Sequence, residues 1–123
     1  MLNKHILHNA GKSRISEKEL YSTYKIFFGT LVSESRLKII NLLRNTKKNV
    51  SEIARELNMR QTAVSHDLAR LKRCGFVEVK AEKSFRYYSL NEKTIKPLMR
   101  IIDEHMSDYC VHILHAKKGE TKQ

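Results

Sequence analysis

The chain lacks the features that most function classes require. No run of about 18 or more apolar residues occurs in it, so no segment is built to cross a membrane. The start, Met1-Leu-Asn-Lys-His-Ile-Leu-His8, has no apolar stretch of the secretory kind. Only two cysteines are present, Cys74 and Cys110. They are too few for a disulfide framework, and a reducing cytosol is the compartment that fits. Glycine occurs only four times, and nowhere as a phosphate-cradling loop. No Ser/His/acid or Cys/His set stands out as a nucleophilic centre, so the expectation is that the chain is not an enzyme. Acidic residues are also scarce: 13 Asp and Glu face 24 Lys and Arg, a net charge of +11 over 123 residues. So large an excess on one small domain favours a polyanionic partner.

What is present reads as a mainly helical domain over residues 16 to 115, with a polar arm over 1 to 15 and a polar, disordered tail from 116 to 123. Ser16-Glu-Lys-Glu19 has capping-box spacing and predicts a helix start. Leu20, Tyr24, Phe27, Phe28 and Leu31 then recur at helical steps, with Gly29 as an end or a point of close approach. Ser33 caps a second helix with a broad apolar face at Leu37, Ile39, Ile40, Leu42 and Leu43.

The stretch from Val50 to Tyr88 says the most. Asn49-Val-Ser-Glu52 is again cap spacing, and Val50 to Leu57 forms a short helix with Ile53, Ala54 and Leu57 inward. Asn58 suits the left-handed geometry of a tight turn. A second helix, about Gln61 to Arg73, turns Val64, Leu68 and Leu71 inward and stops at Gly75. A basic ribbon follows: Phe76 to Lys80, a turn over Ala81 to Ser84, then Phe85 to Leu90. Phe85, Tyr87 and Leu90 are its inward candidates and Arg86 an outward one. A last helix spans about Asn91 to His115, with Pro97 near its start. The sum is a winged helix-turn-helix, a mainly α fold with a small β-hairpin wing.

That architecture assigns DNA roles by position. Gln61, Thr62, Ser65 and His66 lie outward at the start of the second helix of the pair, where side chains enter the major groove. Gln61 can pair with adenine through two hydrogen bonds, and Thr62 or Ser65 can reach base or phosphate. Arg60, Lys72 and Arg73 are phosphate candidates, and Lys80, Lys83 and Arg86 are wing candidates for the same backbone.

The segments Leu31 to Leu43, Val50-Ser-Glu-Ile-Ala54, Gln61-Thr-Ala-Val-Ser65, Leu71 to Val77 and Tyr87-Tyr-Ser-Leu90 together resemble the ArsR/SmtB-type repressors, over roughly residues 20 to 115. The resemblance implies a homodimer joined through first and last helices, acting in the cytoplasm on the nucleoid. It also implies binding to a double-stranded DNA operator that an effector relieves. One departure is Asp67, where the family often has His; here the His is one residue earlier, at His66.

On a continuous last helix His105, Asp108, His112 and His115 would share a sector of about 80°, and imidazole with carboxylate suits zinc or a similar divalent ion. Two antiparallel copies across a dimer axis would also complete such a site. The zinc pattern that the resemblance implies falls instead on Glu92, Thr94, His105 and Asp108, and Thr94 is no substitute for His. The family's cysteine pair near the third helix is missing. Cys110 is a candidate redox thiol, and Cys74 reads as a small buried hydrophobe. Two other readings stay open: an effector-independent architectural DNA binder, and a winged-helix protein-interaction module.

Overall fold

The first three helices of this chain each start at a side chain that closes the first turn. The computed structural model describes residues 15–120, with side chains as far as Ala116. Helix α1 (Glu17–Leu31) begins at a full capping box. Ser16 Oγ accepts from the Glu19 amide at 3.1 Å, and Glu19 Oε1 accepts from the Ser16 amide at 2.9 Å. Helix α2 (Glu34–Leu42) starts under the Ser33 hydroxyl. Helix α3 (Val50–Leu57) repeats the box with Asn49 and Glu52, both bonds at 2.9 Å. These side chains satisfy amides that a helix start otherwise leaves bare. Helix α4 (Gln61–Arg73) is different: no side chain caps it at Arg60.

Strands β1 (Val77–Glu82) and β2 (Phe85–Leu90) pair antiparallel, from Val77↔Leu90 to Glu82↔Phe85. A single bridge adds Lys48 to the outside of β2, with both amides bonded between Lys48 and Tyr88 at 3.1 and 2.8 Å. The wing is therefore attached to the loop that precedes α3. Helices α5 (Ile95–Asp108) and α6 (Cys110–Glu120) complete the chain.

The core sits where α2, α3, α4 and the base of the wing meet. Ile39, Ile40, Ile53, Val64, Leu71 and Phe76 are fully buried there, and Ile95 and Met99 close it from α5. Phe27 of α1 stacks on Phe76 with ring centres 5.1 Å apart. Burying each such side chain is worth about 1.5–3 kcal/mol.

Four expectations need correction. The wing strands run on to Glu82, so the turn is only Lys83 and Ser84. Side chains alternate along β2, and the face that Leu90 shares with Tyr88 is the buried one. Tyr87 and Phe85 therefore lie on the opposite face; Phe85 is exposed and packs on Tyr87, whose ring also carries Lys47 Nζ at 5.3 Å. Arg86 shares the parity of the core face but lies beyond the core and is exposed. Gly29 does not end α1, which continues to Leu31. The single last helix is in fact two. It starts at Ile95, after a turn held by Asn91 Oδ1, and breaks at Tyr109 (φ −127°, ψ −62°). It then runs to Glu120, past the expected end at His115 and into the segment expected as a disordered tail. Pro97 sits in the first turn of α5, where its missing amide costs nothing. The expected arm lies outside the described residues except for Ile15, and so do residues 121–123 of the tail.

Two tests follow from these local structures. Asn58 closes α3 at φ 54°, ψ 50°, a region that side chains lacking a short polar group resist. Asn58→Ala should lower unfolding stability by about 1 kcal/mol in urea titration, and Asn58→Gly should restore most of it. The second concerns Arg44, which follows α2 and holds Asp103 of α5 through two hydrogen bonds. These bonds keep the Asp103 carboxyl below the usual carboxylate range. A depressed carboxylate stabilises above its unfolded value, about 3.9, and loses that contribution as pH falls through the folded value. In Arg44→Gln the Asp103 midpoint, followed by carboxyl carbon NMR, should rise; an unchanged midpoint would rule out this cause.

Candidate nucleic-acid interface

The left-handed Asn58 reverses the chain between α3 and α4 in three residues, and the Met59 amide bonds back to Ala54 O at 2.9 Å. The turn fixes how α4 leaves α3. Val64, Leu68 and Leu71 are at most 1% exposed, so the rotation of α4 is fixed as well. The opposite face then has no choice but solvent. Gln61, Thr62, Ser65 and His66 are all exposed, together with Ala63 and Ala69. Gln61 Nε2 makes only a long contact, 3.4 Å, to Ser51 Oγ. With no side-chain cap at Arg60, the first amides of α4 are open to an anion as well.

Asp67, one position beyond His66, behaves differently. Its carboxylate turns inward, accepts from Ser35 Oγ at 2.6 Å and pairs with Arg36 Nη1 at 3.3 Å. The same guanidinium donates to Thr30 O at 2.7 Å and to Gly29 O at 3.3 Å, carbonyls of the last turn of α1. Both charged side chains are largely buried, at 17% and 14% exposure. Thr30 itself is fully buried. Its hydroxyl donates to Ile26 O at 2.7 Å and accepts from Arg70 Nε at 3.1 Å. Its one proton being used, the Cys74 thiol at 3.3 Å is the donor in that contact. Cys74 is thus half-buried with a polar partner, not the plain hydrophobe expected. The sequence did contain a signal for this network. Two opposite charges, Arg36 and Asp67, interrupt segments that otherwise pack a core.

Charge pairing separates two classes of cation. Arg36, Lys38, Arg44, Lys47, Lys48 and Lys96 each pair with a carboxylate. Arg60, Lys72, Arg73, Lys80, Lys83 and Arg86 are all exposed, and none pairs with a carboxylate among the described residues. Arg60 stands at the start of α4, Lys72 and Arg73 in its last turn, and the other three on the wing, with Lys83 at its tip (φ 59°). These six residues are the phosphate candidates read from the sequence.

The proposed metal stripe does not assemble within one chain. His105 and Asp108 end α5, while His112 and His115 lie beyond the break at Tyr109, and all four are exposed. The His105 ring packs on Tyr109 at 4.7 Å between centres. Among the described residues no three His, Cys, Asp or Glu side chains converge to hold a metal. Glu92 turns toward Lys96 instead. Cys110 is exposed at the start of α6.

An uncapped recognition helix, a basic wing and a set of unneutralised cations beside them define a winged helix-turn-helix regulator. Residues 33–79 match the arsR family of bacterial regulatory proteins. An uncharacterized HTH-type transcriptional regulator of Methanocaldococcus jannaschii is 30% identical over 87 residues, 70% of this chain and 98% of that one. The transcriptional activator HlyU of Vibrio cholerae is 27% identical over 77 residues, 63% of this chain and 71% of HlyU. Among solved structures, a homodimeric winged helix-turn-helix DNA-binding domain from Mycobacterium bovis superposes with a TM-score of 0.71 at 24% identity, covering 83% of this chain and 94% of that one. The chain belongs to the arsR family; it is a DNA-binding transcriptional regulator and not an enzyme.

Removing one member of the inward network leaves a charge without its partner. Asp67→Ala should cost about 2–3 kcal/mol of stability in urea unfolding. His66→Ala, next to it but outward, should stay within about 0.5 kcal/mol.

Proposed function

We propose that the chain is a sequence-specific operator binder that works as a homodimer and represses transcription. In this reading α4 enters the major groove with Gln61, Thr62, Ser65 and His66 toward base edges. Arg60, Lys72 and Arg73 meet phosphates on either side, and Lys80, Lys83 and Arg86 carry the wing along the adjacent backbone. The observation that carries this is local: the six cations at the ends of α4 and on the wing are all exposed beside the outward face of α4, and none pairs with a carboxylate among the described residues.

Dimerisation has its own support. Tyr21, Tyr24 and Phe28 of α1 are 37–56% exposed, and Ile101 of α5, Tyr109 at the break, and Ile113 and Leu114 of α6 are 53–63% exposed. Large apolar residues in such number on the first and last helices suit burial against a second copy. Two copies present two recognition helices, which suits half-sites about one helical turn apart. A dimer seated on a promoter excludes other proteins from it, which favours repression. Such a protein resides in the cytoplasm on the nucleoid. The exposed His and Asp residues of the last helices remain candidates for an effector ion shared between two copies.

Fluorescence anisotropy on the chain's own upstream DNA and on a scrambled duplex tests the reading. Preference for the upstream DNA should fall in Gln61→Ala by about 1–3 kcal/mol. The combined variant Lys80→Gln, Lys83→Gln, Arg86→Gln should weaken both duplexes alike and flatten the dependence on salt. Equal affinity for the two duplexes would favour an architectural role. Wing variants that bind as tightly as the wild type would exclude the docking described.

A further inference from the structure

A cavity of ≈ 520 Å³ lies between α1 and the C-terminal end of α4, lined by Thr23, Ile26, Phe27, Arg70, Arg73 and Cys74. Its size is within the roughly 300–1,000 Å³ usual for small-molecule sites. The α1 wall is largely apolar, built from Ile26, Phe27 and the Thr23 methyl group. The α4 wall carries two guanidiniums, and no carboxylate lines the cavity. Arg70 is half-buried and spends only Nε, on Thr30 Oγ1; its terminal nitrogens have no bond to a described residue. Arg73 is exposed and without an ion pair among the described residues. Two like charges brought together on the edge of an apolar recess repel, and an anion relieves that repulsion. Guanidiniums also offer paired donors that match a carboxylate.

We propose that this cavity binds a small amphipathic carboxylate, with its apolar body on Ile26 and Phe27 and its carboxylate on Arg70 and Arg73. The site is coupled to α4 directly. Both arginines belong to the helix that carries Gln61 to His66, and Arg70 meets the hydroxyl of Thr30, the residue whose backbone carbonyl accepts from the Arg36 that holds Asp67. A carboxylate bound to Arg73 withdraws one of the phosphate-facing cations, so the bound acid lowers DNA affinity. This consequence rests on the DNA reading above; the binding itself does not.

The test uses the full chain with labelled Ile and Thr methyl groups, studied by NMR without DNA. Octanoate and 4-phenylbutyrate are titrated, with 1-octanol as the uncharged control. At least one acid should shift the Ile26 and Thr23 methyl signals saturably and bind more tightly than 1-octanol. Arg70→Gln with Arg73→Gln should weaken that acid about tenfold or more, and Lys72→Gln, which loses the same charge between them, should not. If the double variant fails to fold, the exposed Arg73→Gln alone carries the comparison. No methyl shift with either acid, equal binding of 1-octanol, or unchanged affinity in the arginine variants would each overturn the site. Anisotropy then reads the coupling: the acid should weaken DNA binding in the wild type and not in Arg73→Gln. Methyl shifts with unchanged DNA affinity would overturn the coupling and leave the site standing.

Discussion

The arrangement of this molecule depends on one guanidinium. Arg36 sits at the start of α2 and ties that helix to two others, gripping the last-turn carbonyls of α1 and Asp67 in the middle of α4. A buried charge left without partners is strongly unfavourable, so the contacts form together or not at all. The network does what the apolar core alone does less well. Ile40, Leu68 and Phe76 supply attraction without direction, whereas Arg36, Asp67, Ser35 and Thr30 accept only one mutual geometry. Together with the buried Val64, Leu68 and Leu71, these polar contacts fix the rotation of α4 about its axis. That rotation decides which residues face outward, and therefore what the protein reads.

Much of this was legible in the sequence. The three caps at Ser16, Ser33 and Asn49, the left-handed Asn58 and the inward set on α4 all follow from local rules, and all are present. Local rules failed where a neighbour in space outvoted them. Phe85 and Tyr87 look like core residues because they are aromatic, but strand register gives the core face to Tyr88 and Leu90. The break at Tyr109 has no proline or glycine to announce it, and it puts His105 and Asp108 on one helix and His112 and His115 on the next. Asp67 looked like a deviation within the reading surface. It is a structural residue that happens to adjoin that surface, and its role needed the position of Arg36 to become visible.

The candidate site was legible for a different reason. The positions proposed to read bases follow from where a helix-turn-helix puts its second helix, and that is a matter of order along the chain. The cations were identifiable by type, but their separation into paired and unpaired classes was not. Lys47, Lys48 and Lys80 look alike in the sequence. In the fold the first two meet Glu82 and Glu56, and Lys80 meets no carboxylate. Among the described residues six cations are held by carboxylates, and the unpaired ones include the six at the ends of α4 and on the wing, where their field acts outward.

The bridge between Lys48 and Tyr88 gives the wing a fixed address. A hairpin tethered only at its base would swing, and could follow a neighbouring groove at many separations. Here the outer edge of β2 is stitched to the loop that launches α3, and Lys48 is further pinned to Glu56 on that helix. Wing and reading helix thus form a caliper with a locked jaw. The span between them is a property of the protein, and in the docking proposed above a duplex would have to supply grooves at that gauge or bend until it does.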